Sequence, residues 1–263
     1  MKGILRILES TDALCEAAAV EFLSAVADAV REHGSFRVAL AGGSTPRGLY
    51  AMLATDPQLR ARIPWDKLYF FFSDERHVPP DHPDSNFRMA QEAMLSKVSL
   101  APQQAARIKG EYPDARQAAG EYEQTLRDFF HLAAGQLPRF DLVLLGMGPD
   151  GHTASLFPGT RALREGKRLV VSNWVEKLGT DRITMTVPVL NNAVRILFLV
   201  QGEEKASALK AVLDGPRNPG HLPAQLIHPA NGQLLWLVDK AAARLLSPAA
   251  QQTAPVLSGK QKP

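Results

Sequence analysis

The sequence predicts one doubly wound α/β domain, Rossmann-like, in which a mostly parallel sheet carries helices on both faces. Predicted strands alternate with predicted helices, and the strands are apolar on both faces. No repeat, linker or change of composition divides the chain. We place the domain at residues 1–246 and expect residues 247–263, rich in Pro, Gln and Ser, to form a flexible tail.

Each predicted element rests on periodicity and on turn residues. Apolar residues about every four positions indicate helices, and short apolar runs bounded by Gly, Pro or polar residues indicate strands. Asp12 is suited to cap the first helix, and Gly34 to end it. The predicted helices are 12–34, 47–54, 86–95, 114–134, 202–212 and 241–246, and the predicted strands are 36–41, 67–73, 140–146, 182–187, 194–200 and 234–238.

The composition excludes several classes of protein. The 263 residues are 45% hydrophobic and 22% charged, which is ordinary for a globular protein, and the net charge is only +3. No Lys/Arg run with interleaved aromatics indicates nucleic-acid binding, and no apolar segment approaches the length of a membrane span. The single cysteine, Cys15, allows no disulfide within the chain and favours a cytoplasmic protein. We expect a monomer or a small homo-oligomer.

The first turn that could bind a ligand is Gly42-Gly43-Ser44-Thr45-Pro46, between a predicted strand and a predicted helix. Its glycines let the backbone approach a ligand, Ser44 or Thr45 suits the helix cap, and Pro46 suits the first helical turn. A helix start of this kind is a natural anion site. A well-capped turn without a ligand explains the same residues.

A polar run, Ser73-Asp74-Glu75-Arg76-His77, follows the strand with three phenylalanines. Such a run is usually a solvated loop, and we predict a loop over 74–85. Its place at the carboxyl end of a strand favours a functional role for Asp74 and Arg76, because ligands of open α/β sheets bind there. His77 and His82 lack the spacing of a zinc site, so we expect no metal.

The strongest candidate is the turn Gly148-Pro-Asp-Gly-His152, which follows the buried strand 140–146. Asp150 is close enough in sequence to bond one imidazole nitrogen of His152 and leave the other as a base. Alternatively, Asp150 only shapes the turn and His152 caps a helix that begins near Thr153 or Ser155. Two cations further along, Arg182 and Lys205, are either ordinary surface residues or partners of Arg76 at the same mouth.

These motifs occur together and in a fixed order. They are Gly-Gly-Ser-Thr-Pro at 42–46, Ser-Asp-Glu-Arg at 73–76, His-Pro-Asp-Ser-Asn at 82–86, Leu-Gly-Met-Gly-Pro-Asp-Gly-His-Thr-Ala-Ser-Leu-Phe-Pro at 145–158, Arg-Ile-Thr-Met-Thr-Val-Pro-Val-Leu-Asn at 182–191 and Gly-Glu-Glu-Lys-Ala at 202–206. The ordered set resembles the 6-phosphogluconolactonase family of the pentose phosphate pathway, over roughly residues 38–238.

The resemblance implies hydrolysis of 6-phospho-D-glucono-1,5-lactone to 6-phosphogluconate without a metal or cofactor. His152 would be the general base and Asp150 its support. Arg76, Arg182 and Lys205 would meet the phosphate, with Gly43, Ser44, Thr45 and Asp74 as further substrate-binding residues. N–H groups of Gly43 or Gly148 would stabilise the oxyanion.

Two other functions share this fold. Glucosamine-6-phosphate deaminases have the Asp-Gly-His turn, but they carry a glutamate five residues after the histidine and Asp-Glu-Tyr where this chain has Asp-Glu-Arg at 74–76. Here the former position is Phe157, which cannot act as a carboxylate. A sugar-phosphate-binding regulator would lack the base or add a DNA-binding segment, and this sequence retains His152 and has no helix-turn-helix ahead of the domain.

Overall fold

A computed structural model of the protein describes residues 3–251. Short apolar runs form most of its strands, and the polar tripeptide 74–76 forms one more. The strands are β1 (Ile4–Leu8), β2 (Phe36–Leu40), β3 (Leu68–Phe72), β4 (Asp74–Arg76), β5 (Leu142–Leu145), β6 (Val170–Val175), β7 (Thr180–Met185), β8 (Arg195–Val200) and β9 (Gln233–Asp239).

The main sheet has six parallel strands in the order β1-β9-β8-β5-β2-β3. All four residues of β5 are buried, as expected for a central strand covered on both faces. In the sheet, β3 lies on one side of β2, and β5, β8, β9 and β1 follow in that order on its other side. The predicted α/β fold is confirmed, and its switch point lies between β2 and β5.

Helices flank the sheet, and the ends of the first one follow simple capping rules. Ser10, not Asp12, caps its start by accepting the N–H of Ala13, while Gly34 ends it at a φ of 80°. The predicted helix over 114–134 stops at Phe129 because His131 has a left-handed backbone. The helices are α1 (Thr11–His33), α2 (Ser44–Thr55), α3 (Pro57–Arg62), α4 (Asn86–Ala93), α5 (Ala115–Phe129), α6 (Val187–Asn191), α7 (Ala206–Leu213), α8 (Lys240–Ala243) and α9 (Pro248–Gln251).

A second, antiparallel sheet with the order β4-β7-β6 lies beside the main one. The prediction of a loop from residue 74 was therefore wrong at its start, since β4 pairs along its whole length with β7. The sequence analysis also missed β1 and β6. This small sheet matters for function because Arg76 of β4 lies directly opposite Arg182 of β7.

One continuous hydrophobic core extends from Leu5 to Leu246. It is in keeping with a single domain over 1–246, which stays a prediction. The predicted tail, 247–263, begins with the short helix α9, and its part beyond residue 251 lies outside the described residues. No helix among residues 3–251 is long and apolar enough to cross a membrane.

Candidate functional site

A cavity of about 270 Å³ opens beyond the carboxyl ends of β2, β5 and β8, at the switch point of the sheet. Turns that directly follow these strands form most of its wall, and β4 of the small sheet adds two charged residues. The lining residues that could bind a ligand or take part in a reaction are Gly43, Ser44, Thr45, Asp74, Arg76, Asn86, His152, Gln201, Glu204 and Lys205.

The turn after β5 presents His152 to this cavity. Gly148 N–H donates to the carbonyl of His152 over 2.8 Å, and Gly151, at a φ of 74°, closes the turn on the carbonyl of Gly148. A Cβ at Gly148 would lie 2.1 Å from Nδ1 and Cε1 of the imidazole. Only glycine at 148 therefore lets the ring pack this closely over the turn.

Asp150 holds the imidazole. Its Oδ1 accepts from Nδ1 of His152 and from the backbone N–H of His152, the latter over 3.2 Å, and its Oδ2 pairs with Lys177. Nε2 of His152 has no hydrogen-bond partner within residues 3–251, so it remains for a ligand. Partial burial pushes the pKa of Asp150 up, but the bonds from His152 and Lys177 outweigh burial and hold that pKa well below its usual value.

No helix follows this turn, contrary to one of the expectations for Thr153 and Ser155. The hydroxyl of Thr153 donates to the carbonyl of Gly146 over 2.8 Å, and that of Ser155 donates to Asp74 Oδ2 over 2.6 Å. Ala154 between them has a φ of 46°, which a helix cannot accommodate. His152 therefore lies in a fixed turn rather than at a helix cap.

The start of α2 offers backbone donors to the cavity. Gly43, at a φ of 104°, is the cap residue, and neither Ser44 nor Thr45 caps the helix with its side chain, contrary to expectation. The N–H groups of Gly43, Ser44 and Thr45 have no partner in the described part of the chain. Because such N–H groups and the helix dipole attract negative charge, this end suits an anion. Gly148, the other predicted oxyanion donor, is excluded because the carbonyl of His152 accepts its N–H.

Asp74 lines the cavity but serves as a structural junction. Besides Ser155, its carboxylate accepts from Ser73 Oγ over 3.3 Å and from Asn86 Nδ2 over 3.4 Å. The neighbouring Glu75 is buried and accepts N–H bonds from the start of α4, and burial raises its pKa. These two acids tie β4 to α4 and to the turn of His152.

Three cations lie at or next to the cavity. Arg76 and Lys205 line the cavity, whereas Arg182 does not and instead faces Arg76 across the β4–β7 pair. Burial lowers the pKa of Arg182, and the guanidinium of Arg76 lowers it further. Like charges directly opposite each other on a sheet destabilise it, so this pair is suited to bind an anion.

The two histidines of the polar run, His77 and His82, bond to backbone groups and do not line the cavity. His77 Nε2 contacts the carbonyl of Tyr112 at 2.6 Å, and His82 Nδ1 accepts the N–H of Asp84 at 3.1 Å. Across residues 3–251, no group of three or more His, Cys, Asp or Glu side chains is arranged to hold a metal ion.

The family model of glucosamine-6-phosphate isomerases and 6-phosphogluconolactonases matches residues 9–236. The chain belongs to this family. It is 41% identical to a 6-phosphogluconolactonase of Synechocystis sp., over 92% of this chain and 98% of the relative, and 40% identical to one of Nostoc sp., over 94% and 100%.

Solved structures of the glucosamine-6-phosphate isomerase/6-phosphogluconolactonase family have the same fold. The 6-phosphogluconolactonase from Trypanosoma cruzi superposes with a TM-score of 0.80 at 27% identity, covering 93% of this chain and 97% of that one. Both activities in the family's name are linked to this fold, so the fold alone does not separate them.

Most of the residues predicted for the site lie in or next to one cavity. The cavity is lined by Gly43, Ser44, Thr45, Asp74, Arg76, His152 and Lys205, while Asp150 bonds to His152 and Arg182 lies opposite Arg76 on the neighbouring strand. The sequence analysis missed Gln201 and Glu204, which follow β8, and Lys177, which is distant in sequence from the turn that it contacts.

Proposed function

We propose that the protein is a 6-phosphogluconolactonase, a carboxylic ester hydrolase that converts 6-phospho-D-glucono-1,5-lactone to 6-phospho-D-gluconate. The observation that carries this proposal is Nε2 of His152, which has no partner within residues 3–251 and belongs to a cavity that Arg76 and Lys205 also line. An imidazole held through Nδ1 by a carboxylate is arranged to accept a proton at Nε2. The names of the relatives agree with this activity.

In the proposed reaction, Nε2 of His152 takes a proton from water as the water oxygen bonds to the lactone carbonyl carbon. The negative oxygen that forms is stabilised by the free N–H groups at the start of α2. The C–O bond to the ring oxygen then breaks, and the imidazolium returns the proton to that oxygen. No step requires a metal or a cofactor.

We assign binding of the phosphate to Arg76, Arg182 and Lys205. A planar guanidinium bonds phosphate oxygens in pairs, and a bound dianion would relieve the repulsion between the two arginines. Arg76 also donates to the carbonyl of Asp84 over 2.6 Å, which fixes the direction of its side chain.

The alternative is a glucosamine-6-phosphate deaminase-type enzyme, which the family also includes. That chemistry needs a carboxylate five residues after the histidine. Phe157 occupies this position, and its ring stacks on His152 with centroids 4.1 Å apart. A phenyl ring supplies no carboxylate for the ring opening of an amino sugar. Its contact is compatible with a histidine that activates water without a second acid at this position.

A cytoplasmic location fits a chain whose one cysteine, Cys15, is buried and unpaired. It belongs to the proposal, as does the monomer or small homo-oligomer expected from the sequence.

The decisive experiment is a lactone hydrolysis assay coupled to oxidation of 6-phosphogluconate, with the spontaneous rate subtracted. We expect hydrolysis well above that rate, and a much higher kcat/KM for the 6-phosphorylated lactone than for glucono-1,5-lactone. Ammonia release from glucosamine-6-phosphate, with no lactone hydrolysis, would overturn the proposal in favour of the alternative.

A substitution at Gly148 tests the geometry of the turn. Gly148→Ala places a methyl group where the imidazole of His152 lies, and we expect kcat to fall at least about tenfold because small misplacements of a catalytic group are costly. Gly166→Ala is the matched control, since a Cβ there meets no heavy atom within 4 Å. Thermal unfolding of both variants separates misplacement from misfolding, and an unchanged kcat in a folded Gly148→Ala protein would contradict the role of this turn.

A further inference from the structure

We propose that Lys177 is a positioning residue for the reaction: its ammonium holds Asp150 in the orientation in which Oδ1 receives the Nδ1–H of His152. This inference rests on the proposed function and adds a residue to it. Lys177 neither lines the cavity of His152 nor lies near it in sequence. It comes from the tip of the hairpin that joins β6 to β7 in the small sheet.

The position of Lys177 is fixed by its hairpin. Residues 176–178 form a single helical turn, and Gly179 ends it with a left-handed backbone at a φ of 59°. The two strands pair without interruption from Val175↔Thr180 back to Val170↔Met185. Asn173 of β6 also donates to the carbonyl of Ser155 over 2.9 Å, which ties the hairpin to the loop after His152.

Lys177 contacts both groups that hold the imidazole. Its Nζ pairs with Oδ2 of Asp150, whose Oδ1 faces Nδ1 of His152. The same Nζ lies 4.9 Å from the ring centroid of Phe157, and that ring stacks on the imidazole at an interplanar angle of 24°. A cation over an aromatic ring is attracted to it, so one ammonium stabilises both the carboxylate and the ring.

Asp150 needs such a partner because a second cavity exposes its carboxylate to solvent. It lines this neighbouring cavity, together with Phe157 and Lys177, and its Oδ2 pairs with the ammonium. Without the ammonium, water would compete for both oxygens and the carboxylate could rotate away from Nδ1. His152 would then populate the tautomer with the proton on Nε2, which cannot accept a proton from water.

The bland explanation is an ordinary surface ion pair, because the side chain of Lys177 is 52% exposed. Exposed pairs contribute little to stability, so stability alone does not separate the two explanations. The tautomer of His152 and the value of kcat do, because a surface ion pair without a positioning role would leave both unchanged.

The test compares Lys177→Met with Lys177→Arg, which keeps the charge. For Lys177→Met we expect kcat to fall about fivefold with little change in KM, as for an interaction that matters mainly in the transition state. We also expect Lys177→Arg to restore most of the lost kcat. The control is Lys109→Met, which removes a lysine–carboxylate pair, with Glu121, outside the cavities that His152 and Asp150 line.

Wild-type kcat in Lys177→Met would overturn the inference, as would a fall in kcat that Lys109→Met reproduces. A wild-type protein that does not hydrolyse the lactone would overturn the proposed function instead. In that case ¹⁵N NMR of His152 still decides the positioning role. We expect the Nδ1–H tautomer in the wild type and a shift toward the Nε2–H tautomer in Lys177→Met, and identical ¹⁵N shifts would refute it.

Discussion

His152→Ala is expected to lower kcat for the lactone by about 10²–10⁴-fold, the usual contribution of a positioned general base. The imidazole is the one side chain of the cavity held through a carboxylate with a ring nitrogen left for water. KM should change much less, because the residues proposed to bind the phosphate are Arg76, Arg182 and Lys205 rather than His152. Steady-state kinetics with the spontaneous rate subtracted measures both constants.

The chain contains a matched control for this substitution. His33 forms a second His–Asp pair, with Nε2 2.9 Å from Oδ1 of Asp141, at the end of α1 and outside the cavity. His33→Ala removes an imidazole from a carboxylate without touching the proposed machinery, so we expect it to retain kcat. A loss of kcat below tenfold in His152→Ala, or an equal loss in His33→Ala, would contradict His152 as the base.

Much of the site followed from the sequence because the carboxyl ends of parallel strands meet at one edge of the sheet. The glycine turn at 42–46 and the turn at 148–152 come directly after the adjacent strands β2 and β5. Alternation of strands and helices therefore sufficed to bring Gly43 and His152 to one cavity. Arg182 was harder to foresee, since its place depends on pairing between β4 and β7.

The errors share a physical cause. Thr153 and Ser155 have the local chemistry of helix caps, but their hydroxyls bond to Gly146 and Asp74, partners fixed by the fold. The segment Asp74–Arg76 has no strand periodicity, and it becomes a strand only because it pairs with β7, more than 100 residues later in the chain. Such tertiary bonds leave no periodic trace in the sequence. The contact of Lys177 with Asp150 belongs to the same class.

Asp150→Asn is expected to lower kcat by about 10²-fold, because it removes the negative charge that stabilises the imidazolium formed when His152 takes the proton from water. Asparagine can still accept the backbone N–H of His152 at Oδ1, so the turn is preserved. Its Nδ2 would take the place of Oδ2, beside the ammonium of Lys177. His152 would then be in the right place but without the carboxylate that stabilises its protonated form.

Comparison with Asp150→Ala decides whether Asp150 orients the imidazole or only shapes the turn. If it only shapes the turn, Asp150→Asn keeps wild-type kcat and Asp150→Ala loses it together with thermal stability. If it orients the base, both variants lose kcat, and adding His152→Ala to Asp150→Asn costs little more, because residues that act as one unit are not additive. Because Oδ1 faces both the backbone N–H and Nδ1 of His152, we expect the second outcome.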